Sequence, residues 1–222
     1  KTGIDLPSEK SGVIPTRAWK KALIGTPWQQ GETLISGIGQ GFILSTPLQM
    51  AVMTARIANG GEAVMPRLVR PSGADQKDKK PEFKTLGISK WALDIVRDGM
   101  NRVTNEQRGT AYRARIKEEG MEMSGKTGTA QVRRISKAER DTRVLKNHER
   151  PWRQRDHALF VGYAPSDNPR YAVAVVVEHG GGGSKVAAPI ARDVLLATQK
   201  RDPANRKEAP ETKAASVKSE DI

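Results

Sequence analysis

Gly120-Met121-Glu122-Met123-Ser124-Gly125-Lys126-Thr127-Gly128-Thr129-Ala130-Gln131-Val132 is the stretch on which the reading of this chain turns. Small residues and threonines alternate from Met121 to Val132 among β-prone neighbours, which predicts a strand. Read from Gly120, the same residues also spell G-x-x-x-x-G-K-T, the spacing of a phosphate-cradling loop. That loop needs a buried strand before it and a helix after it, so that amide groups and the helix dipole meet the phosphates. Arg115-Ile116-Lys117-Glu118-Glu119 is too charged for a buried strand, and Gly128-Thr129-Ala130 is a poor start for a helix. No apolar strand ending in aspartate offers a magnesium ligand, and Val175-Val176-Val177-Glu178 comes nearest. The strand reading is preferred, with nucleotide binding as the weaker alternative.

Two more strands are expected downstream, at 158–163 and 170–178. Pro165-Ser166-Asp167-Asn168-Pro169 between them is nearly all turn formers, so they should form a hairpin. Gly180 to Gly183 reads as a flexible link to a last helix over 187–198. Upstream, Thr46-Pro47 opens a helix whose apolar stripe is Leu48, Ala51, Val52, Ala55, Ile57 and Ala58, and Asn59-Gly60-Gly61 stops it. A further helix runs from near Ser89 to Thr104, with Trp91, Leu93, Ile95, Val96 and Met100 as its apolar set. The prolines and glycines of residues 1–45 leave room for one short helix, 17–23. Residues 72–81 read as a charged surface loop.

The 222 residues suffice for one domain with a real core. The longest apolar run, Ala172 to Val177, is strand length and far short of the ~18–20 residues that span a bilayer. With no cysteine, thiolate metal sites, disulfides and cysteine nucleophiles are excluded. Lys1 is not an initiator methionine, so the chain is expected to be the interior of a longer protein, with any membrane anchor upstream. Net charge is +13, and residues 131–157 hold nine basic against four acidic residues. The signs are interleaved and Trp152 is the segment's one aromatic, so it reads as a solvated loop or helix face and not as a nucleic-acid surface. His148, His157 and His179 fit no metal spacing and are expected to be structural.

Lys126-Thr127-Gly128 followed by Thr129-Ala130 matches the third signature of penicillin-recognising serine enzymes. Thr2-Gly3-Ile4-Asp5-Leu6-Pro7, Gly37-Ile38-Gly39-Gln40-Gly41, Thr46-Pro47-Leu48-Gln49, Asn59-Gly60-Gly61, Gly109-Thr110-Ala111 and Phe160-Val161-Gly162-Tyr163-Ala164-Pro165 stand around it in the family's order. As a set, residues 1–198 resemble the C-terminal part of the transpeptidase domain of class B penicillin-binding proteins. Trp19-Lys20 and Pro27-Trp28 lean towards the elongation-specific subgroup over the division enzymes. The resemblance is loose in the basic insert and fails after residue 198, where a polar, disordered tail over 199–222 is expected.

The resemblance implies an α/β (α+β) transpeptidase fold like that of the serine β-lactamases, with an antiparallel sheet packed by helices and only its C-terminal portion on this chain. It implies a peptidoglycan D,D-transpeptidase that needs no cofactor. Lys126 would be the catalytic residue here, assisting proton transfer and binding a substrate carboxylate. Thr127, Gly128 and Thr129 would bind substrate: Thr127 and Thr129 through their hydroxyls, Gly128 by leaving room for substrate backbone. The Thr129 amide would form half of an oxyanion hole. Implied partners are stem peptides, β-lactams, the upstream half of the same protein, a membrane-embedded glycan polymerase and other elongation-complex proteins, on the periplasmic face of the inner membrane.

One departure is important. Family catalysis needs S-x-x-K and S-x-N before the K-T-G strand, and no serine here has lysine at the third following place. The nucleophile must therefore lie outside this chain, which alone should not be acylated. Ser166-Asp167-Asn168 spells S-x-N in the wrong place and reads as turn chemistry, its hydroxyl facing water. A non-enzymatic basic module that binds an anionic polymer through residues 131–157 is the competing reading.

Overall fold

The computed structural model describes residues 1–69, 82–133 and 135–203. All of the expected charged loop, 72–81, and all of the expected tail beyond residue 203 lie outside the described residues. Three antiparallel strands form one sheet in the order β1 (Ser124–Ala130), β2 (His157–Ala164), β3 (Tyr171–Val177). Ser124 pairs with Tyr163 and Ala130 with His157, and Ala164 pairs with Tyr171 across the expected hairpin.

Alternation along β2 assigns the faces, because cross-strand partners project to the same side. Ala158, Phe160 and Ala164 pack into a cluster with Ala187, Ala188, Ala191 and Leu195 of α6 (Ala187–Arg201). Tyr163 points the other way, onto Ala58 of α3 (Pro47–Ala58) and Met100 of α4 (Lys90–Asn105). The sheet is thus sandwiched between helices. Phe160 and Tyr163, at 0% and 1% exposure, are the largest side chains in its core.

The helix ends follow from local chemistry. Thr46 Oγ1 accepts from the Gln49 amide while Gln49 Oε1 accepts from Thr46 N–H, a reciprocal cap that opens α3. Ser89 caps α4 in the same hydroxyl-to-amide way. Thr16 caps α1 (Arg17–Ile24), and Gly25 closes it in the left-handed region.

A second helix in this region, α2 (Gln30–Gly37), is a correction to the single helix expected among residues 1–45. Its glycines read as turn signals, but Glu32 overrides them. The Glu32 carboxylate accepts from the Gln29 amide and pairs with Lys20 at 2.6 Å. Lys20, 4% exposed, also donates to the Pro27 carbonyl at 2.7 Å. These bonds hold the Glu32 carboxyl below the ordinary glutamate range, the Gln29 amide contributing most.

β1 is shorter than the expected 121–132. Gly120 takes a left-handed turn, and the Met123 carbonyl is captured from the end of α4 by Thr104 Oγ1 at 2.6 Å and Asn105 Nδ2 at 3.0 Å. That clamp fixes where the strand begins. Thr104 is fully buried, and its contact with Met123 is the shortest of its three. Thr104→Val keeps the shape and deletes the donor, so it should lower stability by about 1 kcal/mol. Thermal unfolding of the full-length protein checks this, and an unchanged Tm would show that the clamp contributes nothing.

Candidate active site

β1 lies at the margin of the sheet, paired on one side by β2. Gly125 is buried there because Phe160 needs its space: a Cβ at 125 would collide with the Phe160 ring and meet the Val161 carbonyl at 2.6 Å. Register then places Thr127 opposite Phe160 and Thr129 opposite Ala158, so both threonines project on the α6 face of the sheet. Lys126 and Gly128, opposite Val161 and Leu159, belong to the other face.

Lys126 is exposed, and its Nζ donates to the Thr127 carbonyl at 2.8 Å. Among the described residues it has no carboxylate partner, so its charge is free for an anion. Thr127 is half-buried, with Oγ1 3.2 Å from Thr110 Oγ1, and Thr129 is exposed. The four expected site residues thus share one marginal strand, the cation on one face and the two threonine side chains on the other, with Gly128 carrying no side chain between the threonines. A strand of this kind can hold an extended, carboxylate-bearing peptide along its open side. The phosphate-loop alternative fails on geometry, since Lys126 lies inside strand β1 and does not open a helix.

Gly180 to Gly183 does not behave as a flexible link. Gly183 is buried, and a Cβ there would collide with the carbonyls of Leu159 and Gly128. The segment crosses against the sheet backbone, a long-range approach that a run of glycines does not announce locally.

The basic insert is braced, which the solvated-run reading did not foresee. It holds α5 (Lys137–Asp141) and two single turns, 147–149 and 152–154. Arginine engages three of its acids: Arg133 with Glu139, Arg143 with Glu149 and Arg150 with Asp156. Asn147 and Asp156 exchange hydrogen bonds of 2.9 and 3.1 Å. His157 Nδ1 accepts from the His179 amide at 2.9 Å, His179 Nδ1 meets the Arg155 carbonyl at 2.9 Å, and the Trp152 ring stands edge-on to His179. Both histidines are hydrogen-bonded parts of the scaffold.

Ser166 corrects a second expectation. Its hydroxyl does not simply face water: it accepts from Ser124 Oγ at 2.8 Å and donates to the Glu122 carbonyl at 3.0 Å. Because β1 and β2 are antiparallel, the chain leaving β2 at Ala164 passes beside the start of β1, which the turn sequence alone does not reveal. Thr110 is the contact to the site that sequence reasoning missed. Its signal was present, since Gly109-Thr110-Ala111 stood among the ordered motifs without a role.

An edge strand carrying Lys126-Thr127-Gly128-Thr129, backed by a C-terminal helix, defines a transpeptidase domain of the penicillin-binding class. The chain belongs to that family: the penicillin binding protein transpeptidase domain matches residues 1–196. The peptidoglycan D,D-transpeptidase MrdA of Haemophilus influenzae is 38% identical over 201 residues, covering 87% of this chain and 30% of the relative. MrdA of Acinetobacter baumannii is 38% identical over 213 residues, covering 91% and 30%. Penicillin-binding protein PBP2 of Pseudomonas aeruginosa superposes with TM-score 0.67 at 35% identity, covering 95% of this chain and 43% of that one. PBP2 of Helicobacter pylori, solved in complex with MreC, gives TM-score 0.74 at 32% identity, covering 90% and 33%. The chain spans about 30% of the length of the curated relatives named.

Two predictions come from these contacts. Ser166→Ala leaves the fully buried Ser124 hydroxyl without its acceptor, so it should cost about 1–2 kcal/mol. A Tm equal to that of the parent would show that Ser166 is mere turn surface. The second concerns acid. Arg133 first, and then the Ser136 amide, hold the Glu139 carboxyl at about 2, against an ordinary value of 4.5. A carboxylate whose pKa is lowered on folding stabilises above its unfolded value and loses that contribution as pH falls through the folded one. Amide exchange at Ser136–Glu139 should accelerate as pH falls from about 4.5 towards 2, beyond the intrinsic pH dependence of exchange. Glu139→Gln should abolish that added acid step, and its persistence in the variant would place its origin elsewhere.

Proposed function

We propose that this chain supplies the substrate-binding strand of a peptidoglycan D,D-transpeptidase of the elongation type. The observation that carries the reading is an exposed cation without an ion-pair partner among the described residues, on the same marginal strand as two threonine hydroxyls. That set suits a peptide ending in a free carboxylate, as D-alanyl-D-alanine does.

In the reaction, a serine supplied from outside these 222 residues attacks the carbonyl of the penultimate D-alanine. Its hydroxyl proton is taken up as the bond forms, and a proton passes to the departing nitrogen as terminal D-alanine leaves. The acyl-enzyme ester is then attacked by an amine of a neighbouring stem peptide, which forms the cross-link and frees the serine. Lys126 binds the terminal carboxylate and assists these proton transfers. Thr127 and Thr129 donate hydroxyl hydrogens to the carboxylate, and the Thr129 amide stabilises the oxyanion. β-Lactams acylate the same serine.

The full-length protein would work at the periplasmic face of the inner membrane. No described helix is long and apolar enough to cross a membrane, so on this reading the anchor lies outside this chain. Because PBP2 of H. pylori was solved with MreC, assembly with elongation-complex proteins belongs to the same proposal.

Labelled penicillin tests the assignment on the full-length protein. Lys126→Ala should slow acylation by about 10²–10³-fold, the loss typical when one aimed electrostatic partner is removed. Thr127→Val keeps the β-branched shape and removes only the hydroxyl, so folding should survive while acylation falls. Correctly folded variants that both acylate within a few-fold of the parent would refute the role of this strand.

A further inference from the structure

The segment that follows α4 is held tightly for something that is not core. A Cβ at Gly109 would collide with the carbonyls of Arg102 and Val103, so the chain leaves the helix by a close crossing that glycine permits. The Gly109 amide donates to the Glu106 carbonyl at 2.8 Å, and the Ala111 amide to Val103 at 2.9 Å. Ala111 itself is buried at 1% exposure. Between these two fixed residues stands Thr110, exposed, with its hydroxyl 3.2 Å from that of Thr127. The fold does not need Thr110 for burial, yet it aims the side chain at one atom of the substrate strand.

Hydrogen counting gives the pair a direction. Each threonine hydroxyl carries one hydrogen and two lone pairs, whereas a carboxylate only accepts. If Thr127 is to donate to a substrate carboxylate, its hydrogen cannot also go to Thr110, so Thr110 must be the donor in the 3.2 Å contact. Donation into the Thr127 oxygen also polarises its O–H bond and strengthens what it gives to the anion. We propose that Thr110 is a positioning residue for the substrate carboxylate, turning the Thr127 hydroxyl hydrogen away from the protein and towards the ligand. This rests on the role given to Thr127 above.

The test uses the full-length protein and two probes: a fluorescent penicillin with its carboxylate free, and the same penicillin with that carboxylate methylated. Acylation is resolved into the initial binding constant and the subsequent rate constant. With the free acid, Thr110→Val should weaken initial binding roughly 3- to 10-fold, the worth of one net hydrogen bond. The acylation rate constant should stay within about twofold, and Thr110→Ser, which restores the donor, should bind as the parent does. With the methyl ester, parent and Thr110→Val should bind alike. Equal losses on acid and ester, a loss in Thr110→Ser as large as in Thr110→Val, or no loss at all would each overturn the proposal. If Thr127→Val leaves binding of the free acid unchanged, the role of Thr127 falls first. If Thr127→Val weakens it and Thr110→Val does not, only the positioning role is lost. Tm of each variant separates these outcomes from misfolding.

Discussion

The ring of Phe160 occupies the space that side chains at Gly125 and Gly162 would need, and the arrangement of the sheet depends on that occupation. One aromatic ring seated over two glycines on paired strands admits one register, because a one-residue slip would put Phe160 on the wrong face and break the α6 core. Pairing Gly125 with Gly162 then settles the rest of β1 without further choice. Lys126 falls on one face, and Thr127 and Thr129 fall on the other. The chemistry of the strand is thus fixed by a packing decision made two residues earlier.

Position along the strand is fixed separately. Thr104 and Asn105 take the Met123 carbonyl, and Ser166 takes both the Ser124 hydroxyl and the Glu122 carbonyl. Polar groups at the start of β1 that would otherwise be buried and unsatisfied therefore bond to α4 and to the β2–β3 turn. Such bonds leave little freedom to slide. Lys126-Thr127-Gly128-Thr129, the residues proposed to bind substrate, come shortly after the last of these anchors.

Much of this was legible in the sequence, for reasons that differ by element. The caps at Thr46 and Ser89 and the stop at Asn59 act within a few residues, so α3 and α4 could be placed closely, while α1 was placed from the room its flanking prolines and glycines leave. The hairpin was legible because its turn chemistry is local too. What escaped depends on partners far along the chain. Helix α2 stands on Glu32 reaching back to Lys20, Ser166 is bonded to Ser124 forty-two residues away, and Gly183 lies against Gly128. The site's own residues were recognisable as an ordered set of motifs, but the link from Thr110 to Thr127 required three dimensions.

The distribution of charge completes the physical account. A chain of net charge +13 has cations to spare, and the insert that follows β1 assigns Glu139, Glu149 and Asp156 to its own arginines. These pairs are worth little individually in stability where they are exposed. What the pairs do is occupy those three carboxylates with arginine, and Lys126 is not among their partners. An exposed ammonium costs little to leave without a partner, because water solvates it. Buried, the same group would demand a counter-ion and lose its availability. Placement on the marginal strand of the sheet therefore gives Lys126 two things at once: a backbone anchored by Phe160 and the Met123 clamp, and a charge that no described carboxylate takes up.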